Sequence, residues 1–575
     1  MTRRPAKWNF PPPLPESLSR VSLAERVLYA RGCREAADVH RFLNPRVEHM
    51  LDPMGLRDMD RAVERLVRAI RDKEPILLYG DYDVDGTVSV VVLKTTLTLA
   101  GACVDFHIPH RLVEGYGMRP EVIDAAAERG VKLVVSVDTG IRARAVVEHA
   151  REAGIDVIVT DHHLPEAELP PAAAVVNPNR PDCTYPEKNL CGAGVTLKLV
   201  QATMRALGWP EERVAKLLDS FLKLVAIATV ADVVPLTGEN RVIVRRGLDG
   251  LTDVRNPGLR ALLKVAGFAP GERPAAGQVA FRIAPRINAA GRMDDARNVI
   301  ELFLTTDPQR AADIAGKLQD LNQDRRDTES EILRSIDEEC ERTPVTDFDC
   351  ALVFSNPDWH KGVVGIVASR VVERYHRPVF VLCEDAATGL AVGSGRSVRS
   401  FHLLEALESM HELFVKFGGH RQAAGLTIRN EAIPEFRRRL SEYASRILRP
   451  EDFCATCEID AVMTLAELNE SAVRDVERLA PFGFGNPAPL FALMDVEVQA
   501  ANLRGEKMVN IAIRQNGGRT LILTGWDWRE RLDELRPGTR VNATVALEDR
   551  GRNGEWRAVL KDAQPVAAAA GLQSP

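Results

Sequence analysis

The sequence predicts an α/β protein built around a parallel sheet, and three observations carry that reading. Short β-branched runs alternate with helical stretches from about Pro75 to Asp232, the alternation returns after Cys350, and beyond Asp452 the texture changes to short strands divided by turn signals. At 575 residues the chain is too long for one hydrophobic core and calls for roughly three or four domains.

In the first stretch, Ile76-Leu77-Leu78-Tyr79 reads as a buried strand ended by Gly80, with a helix over Thr87 to Leu99. Lys132 to Val137 is a second strand, followed by Asp138-Thr139-Gly140 and a helix through about Ala153. Ile155 to Val159 is a third, ending in Thr160-Asp161-His162-His163. Continuous apolar strands separated by helices imply βαβ units and a parallel sheet covered on both faces.

Arg255 to about Glu341 reads as mostly helical, with one long connecting helix from Pro308 to Glu341. Ala351 to Phe354, a helix from about Val363, and Val379 to Leu382 mark a second α/β domain ending near Leu448. Segments such as Val509 to Arg514, followed by Asn516-Gly517-Gly518, suggest five or so short strands in a small barrel of the OB type. No internal repeat is evident.

Composition narrows the class. An apolar fraction of 45% and a charged fraction of 27% are those of a globular protein in water. No apolar run approaches the ~20 residues that span a bilayer. The N-terminus leads into prolines rather than an apolar signal core, so the expectation is a cytoplasmic protein. Nine scattered cysteines read as reduced thiols, and Cys454 with Cys457, the one CxxC, as structural. A net charge of −6 excludes a globally basic nucleic-acid binder; any such binding needs a local groove.

The acids fall where sites form. Asp81, Asp83 and Asp85 follow the first strand, Asp138 the second, Asp161-His162-His163 the third, and Asp232 ends an apolar helix. In open parallel sheets, loops at the carboxyl ends of strands converge on one crevice. So many like charges repel unless cations neutralise them, and carboxylate plus imidazole without thiolate suits Mn²⁺ or Mg²⁺. Two ions sharing a bridging carboxylate would use the whole set and suit phosphoester cleavage. A single such Asp is more often a turn or helix cap, but caps do not require acids on three successive strand ends.

Gly80-Asp81-Tyr82-Asp83-Val84-Asp85-Gly86-Thr87, Val137 to Gly140, Asp161-His162-His163 and Ala228 to Leu236 resemble the four motifs of the DHH phosphoesterases. Their wording is similar to that of the RecJ-type single-strand-specific exonucleases. His360 to Ser369, Ser394 to Ser397 and Gly418 to Gly425 resemble the accessory domain of that superfamily, and Arg286 to Asp294 and Pro481 to Pro487 are also RecJ-like. The resemblance runs from about Asp52 to Ala563.

The resemblance implies a domain plan: an N-terminal extension (1–50), a DHH catalytic domain (51–250), a helical connector (251–345), a DHHA1-type substrate-binding domain (346–450), an OB-like single-strand-binding domain (451–567) and a disordered tail (568–575). It implies a metal-dependent exonuclease acting 5′-to-3′ on single-stranded DNA in repair and recombination and releasing mononucleotides. Two Mn²⁺ or Mg²⁺ ions are expected, one held by Asp83 and Asp138, the other by Asp85, Asp138, His162 and Asp232. His163 would lie beside the scissile phosphate, and Asp81 would support the ligands. Where many members carry a histidine this chain has Tyr79, a poorer ligand. Ser394, Arg396, Gly418, Gly419 and His420 are expected to grip substrate phosphate. Arg286, Asn288 and Arg292 would line the strand's channel or form inter-domain ion pairs. In the barrel, Arg504, Lys507, Arg514 and Arg519 with Trp526 and Trp528 have the mix that single-strand grooves use, although each tryptophan alone reads first as core.

Three rivals stand beside this reading. A DHH phosphodiesterase for short oligonucleotides or cyclic dinucleotides would share the metal site but not need the barrel. A non-catalytic scaffold of the same fold is opposed by the intact ligand set, and a pyrophosphatase by the length. A monomer is expected, with a helicase and a single-strand-binding protein as further partners.

Overall fold

The computed structural model describes residues 6–15, 21–111, 113–115, 117–346, 348–505, 507–549 and 556–566. The expected tail at 568–575 lies outside them. The chain forms two compact units, His40–Arg325 with Ala480–Pro487, and Met1–Val39 with Arg326–Leu479 and Ala488–Pro575. It opens with strand β1 (Lys7–Asn9) and helices α1 (Leu23–Ala30) and α2 (Ala36–Leu43).

In the unit containing residues 40–325, α3 (Met59–Arg71) precedes a five-stranded sheet. Its strands are β2 (Ile76–Tyr79), β3 (Val104–His107), β4 (Leu133–Val137), β5 (Asp156–Thr160) and β6 (Ala174–Val176), interleaved with α4 (Val84–Leu99), α5 (Pro120–Glu128) and α6 (Arg144–Glu152). The order is β3-β2-β4-β5-β6 and every pairing is parallel. All four residues of β2 and all five of β4 are buried, as a sheet covered on both faces demands. The larger core packs Leu66, Val91 and Leu197 against one face, and a smaller core packs Ile123, Val147 and Leu77 on the other. Helix α4 is rich in β-branched residues and forms because it is buried almost all round, not because of propensity.

The chain leaves β2 through α4 toward β3 on one side, while β4 lies against the other side of β2. The strand order therefore reverses between β2 and β4. This is the topological switch point where α/β sheets open a crevice beyond their carboxyl ends. Helices α7 (Gly192–Ala206), α8 (Glu211–Ala231), α9 (Gly238–Gly250), α10 (Pro257–Val265) and α11 (Ala276–Gln278) follow. A π-helical turn, Val279–Ile283, leads into α12 (Ala284–Met293), α13 (Arg297–Leu304) and the 35-residue α14 (Pro308–Arg342). The long helix is thus present, ending one residue beyond the expected Glu341.

In the other unit, β7 (Leu352–Asn356), α15 (Val364–Tyr375), β8 (Val379–Asp385), β9 (Leu390–Arg396), α16 (Leu403–Glu408), β10 (Phe414–Gly419), β11 (Ala423–Arg429) and α17 (Ile433–Ile447) form an α/β domain. Its order is β10-β11-β9-β8-β7, and only β7–β8 is parallel. Next, β12 (Thr456–Glu458) pairs in parallel with β1. The barrel comprises β13 (Ala461–Met463), α18 (Glu470–Leu479), β14 (Leu490–Arg504), β15 (Met508–Arg514), β16 (Thr520–Trp526), β17 (Arg540–Asp549) and β18 (Trp556–Pro565). A β14–β17 pairing returns the six-stranded sheet on itself. It has one strand more than expected, because the three-residue β13, set off by α18, is too short to show alternation. No helix among the described residues is long and apolar enough to cross a membrane.

Candidate metal centre

Three turns beyond the strands build the centre. Gly80 N donates to His107 O, ending β2, and the chain turns at once through Asp81 into α4. Gly86 makes that turn possible, since a Cβ there would lie 2.6 Å from the Asp81 N and O atoms. Asp83 caps α4, accepting from Gly86 N at 3.0 Å, and Asp85 sits buried in its first turn. Beyond β4, Asp138 adopts the left-handed region with φ 59° and packs against the start of α7. A Cβ on Gly192 would stand 2.6 Å from Asp138 Oδ1. The Asp85 carboxylate accepts from Gly192 N (2.5 Å) and Ala193 N (2.8 Å), which aims the positive end of α7 into the cluster. Asp232 is the C-cap of α8.

His162 Nε2 lies 3.2 Å from Asp138 Oδ1, 3.7 Å from Asp232 Oδ2 and 3.8 Å from Asp85 Oδ2. Asp81, Asp83 and Asp138 offer a second set of oxygens within 4.8 Å of one another. Asp138 and His162 also group with His163 at that spacing. Asp81 Oδ1, Asp138 Oδ1, His162 Nε2 and Asp232 Oδ2 are buried and make no hydrogen bond. Buried polar atoms are nearly always bonded, so the unbonded Asp138, His162 and Asp232 atoms gathered around one point describe a site for a bonding partner. Burial first, and neighbouring carboxylates second, raise Asp81 and Asp138 well above the usual carboxyl range and push Asp232 up to about 9. Burial also raises Asp85 and holds His162 below its ordinary value, which keeps the imidazole neutral and able to ligate. Carboxylate oxygens and imidazole nitrogen, with no thiolate in any of these groups, fit Mn²⁺ or Mg²⁺.

Asp161 went unassigned in the sequence reading, yet it organises the third turn. Its buried carboxylate accepts from Ile141 N, His162 N, His163 N and His163 Nδ1. Burial opposes its charge, but the His163 hydrogen bond and imidazole charge outweigh it and hold the carboxyl low. For His163, burial is in turn outweighed by that 2.7 Å contact, and its value is raised. Asn177 Nδ2 and Asn179 Nδ2 bind the carbonyls of His163 and His162. The Asn-Pro-Asn after β6 was the available signal. Tyr79 takes no part: its ring is buried and its hydroxyl donates to Gly117 O.

Residues expected to grip substrate fall in two places. Ser394, Gly425 and Gly418 lie side by side across β9, β11 and β10. Arg396 Nη1 donates to Ser394 Oγ at 2.9 Å, Gly419 has φ 148°, and His420 N donates to Ala423 O. A Cβ on Gly365, in α15, would meet Ser394 Oγ at 3.0 Å, so three separate motifs converge on one surface. Arg286, Asn288 and Arg292 ride on α12. Arg286 bonds Gln319 Oε1 and Arg282 O, Asn288 is half-buried, and Gly291 brings α12 within contact of Tyr82 O. In the barrel, Trp528 is core at 2% exposure and Trp526 is 46% exposed. Arg519 donates to Leu465 O and Leu468 O, and Arg514 pairs with Glu497 at 3.6 Å.

Comparison with known proteins identifies the domains. The DHH family N-terminal domain matches residues 75–229, the DHHA1 domain residues 349–446 and the RecJ OB domain residues 459–561. The single-stranded-DNA-specific exonuclease RecJ of Bacillus subtilis is 36% identical over 554 residues, 96% of this chain and 69% of that protein. The Escherichia coli protein of the same name is 37% identical over 514 residues, 87% of this chain and 88% of its own. The crystal structure of RecJ in complex with Mn²⁺ from Thermus thermophilus superimposes with a TM-score of 0.83 at 31% identity, covering 98% of this chain and 80% of that one. With all three domains in sequence and full-length relatives at this identity, the chain belongs to the RecJ family.

Proposed function

We propose that this chain is a single-stranded-DNA-specific exonuclease that hydrolyses phosphodiester bonds from the 5′ end with two divalent cations. One observation carries the reading: Asp138, His162 and Asp232 bring buried, unbonded ligand atoms together at the switch point of the sheet, and Asp138 also groups with Asp81 and Asp83. Asp83 and Asp138 would hold one Mn²⁺ or Mg²⁺, and Asp85, Asp138, His162 and Asp232 the other. The close approach of Asp81 to Asp83 and Asp138 supports either a ligand or an orienting role for it. When bound, such cations supply Lewis-acid activation of water and charge neutralisation at the phosphodiester.

The chain's own residues do the rest. Asp161 holds His163 through Nδ1, which orients the imidazole to donate to a phosphate oxygen or to carry a proton at the leaving group. The Asp161 contact raises the His163 value and so favours the protonated ring. Arg396 and Ser394, with the backbone at Gly418, Gly419 and His420, form a surface suited to a terminal phosphate. Arg286, Asn288 and Arg292 on α12 are assigned to strand contact. The domain plan given above is retained: catalytic 51–250, connector 251–345, accessory 346–450 and barrel 451–567. Repair and recombination, action as a cytoplasmic monomer, and work alongside a helicase and a single-strand-binding protein complete the proposal by analogy with the family.

The test is digestion of end-labelled single-stranded and duplex DNA with Mn²⁺, native against Asp138→Ala. Mononucleotides released from the 5′ end of the single strand alone, and lost in the variant, support the reading. Cleavage of dinucleotides without turnover of long DNA would move the function to the short-substrate class.

A further inference from the structure

The turn that presents Asp232 is strained at a residue that has no packing of its own. Asp232 caps α8, and Val233, the next residue, has φ 59° while 62% exposed. That position after a helix end usually belongs to glycine, and a β-branched side chain there is an outlier. An exposed side chain buries too little surface to hold such a conformation, so its neighbours must impose it.

They do so through a loop from far along the chain. The eight residues Ala480–Pro487, which join α18 to β14, belong to the compact unit of the metal centre. Leu236 N donates to Phe484 O at 2.8 Å. A Cβ on Gly485 would stand 2.7 Å from Pro235 Cβ and 3.0 Å from its Cα, and one on Gly483 would stand 2.7 Å from Leu236 Cδ1. Gly485 also has φ 72°. From the other side, Asn240 Nδ2 binds Pro235 O, and buried Arg241 donates to both Ala480 O and Phe42 O. Within the loop, Gly483 and Asn486 exchange backbone hydrogen bonds, and the buried Asn486 side chain donates to Pro481 O.

We infer that the loop 480–487 is a positioning element for Asp232, clamping Pro235 and Leu236 so that the strained Val233 turn holds the carboxylate toward His162. The glycines serve close backbone approach and the Phe484 carbonyl the register; the Phe484 side chain is not needed for the clamp. The cation site of the catalytic unit is then complete only when the C-terminal part of the chain supplies this loop. A short substrate would depend on it as much as long DNA does.

The inference rests on Asp232 being a metal ligand, and the experiment separates the two. Mn²⁺ binding to the full-length, DNA-free protein is measured by calorimetry and by the spin-resonance signal of free Mn²⁺, alongside thermal melting. Gly485→Ala should weaken Mn²⁺ about tenfold, as loss of a residue that orients a ligand does, and should also lower the melting temperature of the metal-free protein, because φ 72° and the approach to Pro235 strain an alanine there. Gly483→Ala should weaken it less, because the end of Leu236 can give way, and Phe484→Ala should match the native chain. Native affinity in Gly485→Ala overturns the inference, provided Asp232→Ala weakens binding. If Asp232→Ala does not, the ligand assignment and the inference fall together. Should Gly485→Ala not fold, Gly483→Ala decides: a measurable loss supports the clamp and native affinity overturns it.

Discussion

His162 Nε2 and Asp138 Oδ1 lie 3.2 Å apart in the protein interior, and no hydrogen bond joins them. Two polar atoms at that distance normally share a proton. Here both are aimed at the space that Asp85 and Asp232 also face. The arrangement favours a cation over any protonation pattern the protein could supply.

Asp138→Asn should therefore separate binding from folding. Mn²⁺ affinity should fall by more than the roughly 10–100-fold that loss of an outer partner costs. The metal-free chain should gain stability, on the order of 1 kcal/mol, as a like-charge cluster loses a member. Thermal melts with and without Mn²⁺ read both effects. A variant that melts lower without metal would contradict the electrostatic account.

Removing the metal should expose a pH dependence. Asp232 is pushed up to about 9 from an ordinary 3.8, and Asp81 and Asp138 are raised as well. Carboxyls with raised folded-state values stabilise fully below the ordinary value, and that contribution is lost as pH rises through the raised one. Without metal, stability should fall between about pH 5 and pH 9, and Mn²⁺ should stabilise more at the alkaline end because it displaces fewer protons there. Equal stabilisation by Mn²⁺ at pH 6 and pH 9 would be the contrary finding.

Asp161→Asn addresses proton handling. The His163 value is raised by the Asp161 hydrogen bond and charge, so the alkaline fall in activity should move to lower pH in the variant. The rate should drop about 10²–10⁴-fold, the usual worth of a positioned acid or base, with Mn²⁺ still bound. An unshifted profile would remove His163 from the chemistry.

The two barrel tryptophans should behave differently. Trp526→Ala, at an exposed position, should weaken long single strands by about 1–3 kcal/mol per lost stacked base and leave folding intact. Trp528→Ala empties a core site that also stacks on Arg531, and should cost about 3–5 kcal/mol of stability. Filter binding and melting distinguish them.

Three of the five strands and the acids after them were legible because β2 and β4 are continuous apolar runs and Asp81, Asp83, Asp85 and Asp138 follow them directly, whereas the part-exposed β3 and the three-residue β6 were not. The acids' meeting point depends on which strands are neighbours, and only topology places β2 beside β4. Asp161 was hidden for another reason. Its role lies in accepting four N–H groups from a folded turn, and in sequence it looks like one more acid of the cluster. Buried Glu239 was equally silent: it accepts from Leu51 N, Tyr185 OH and Lys198 Nζ, an interior ionic network that no local pattern announces. The loop at 480–487 could be recognised as a motif, but not its docking on Pro235 and Leu236, because nothing short-range connects them.

The most direct measurement is anomalous scattering at the manganese edge from crystals grown with Mn²⁺. Two peaks flanking Asp138, one bordered by Asp83 and the other by Asp85, His162 and Asp232, are the expected result. One peak alone, or peaks away from Asp138, would contradict a two-cation centre at the switch point.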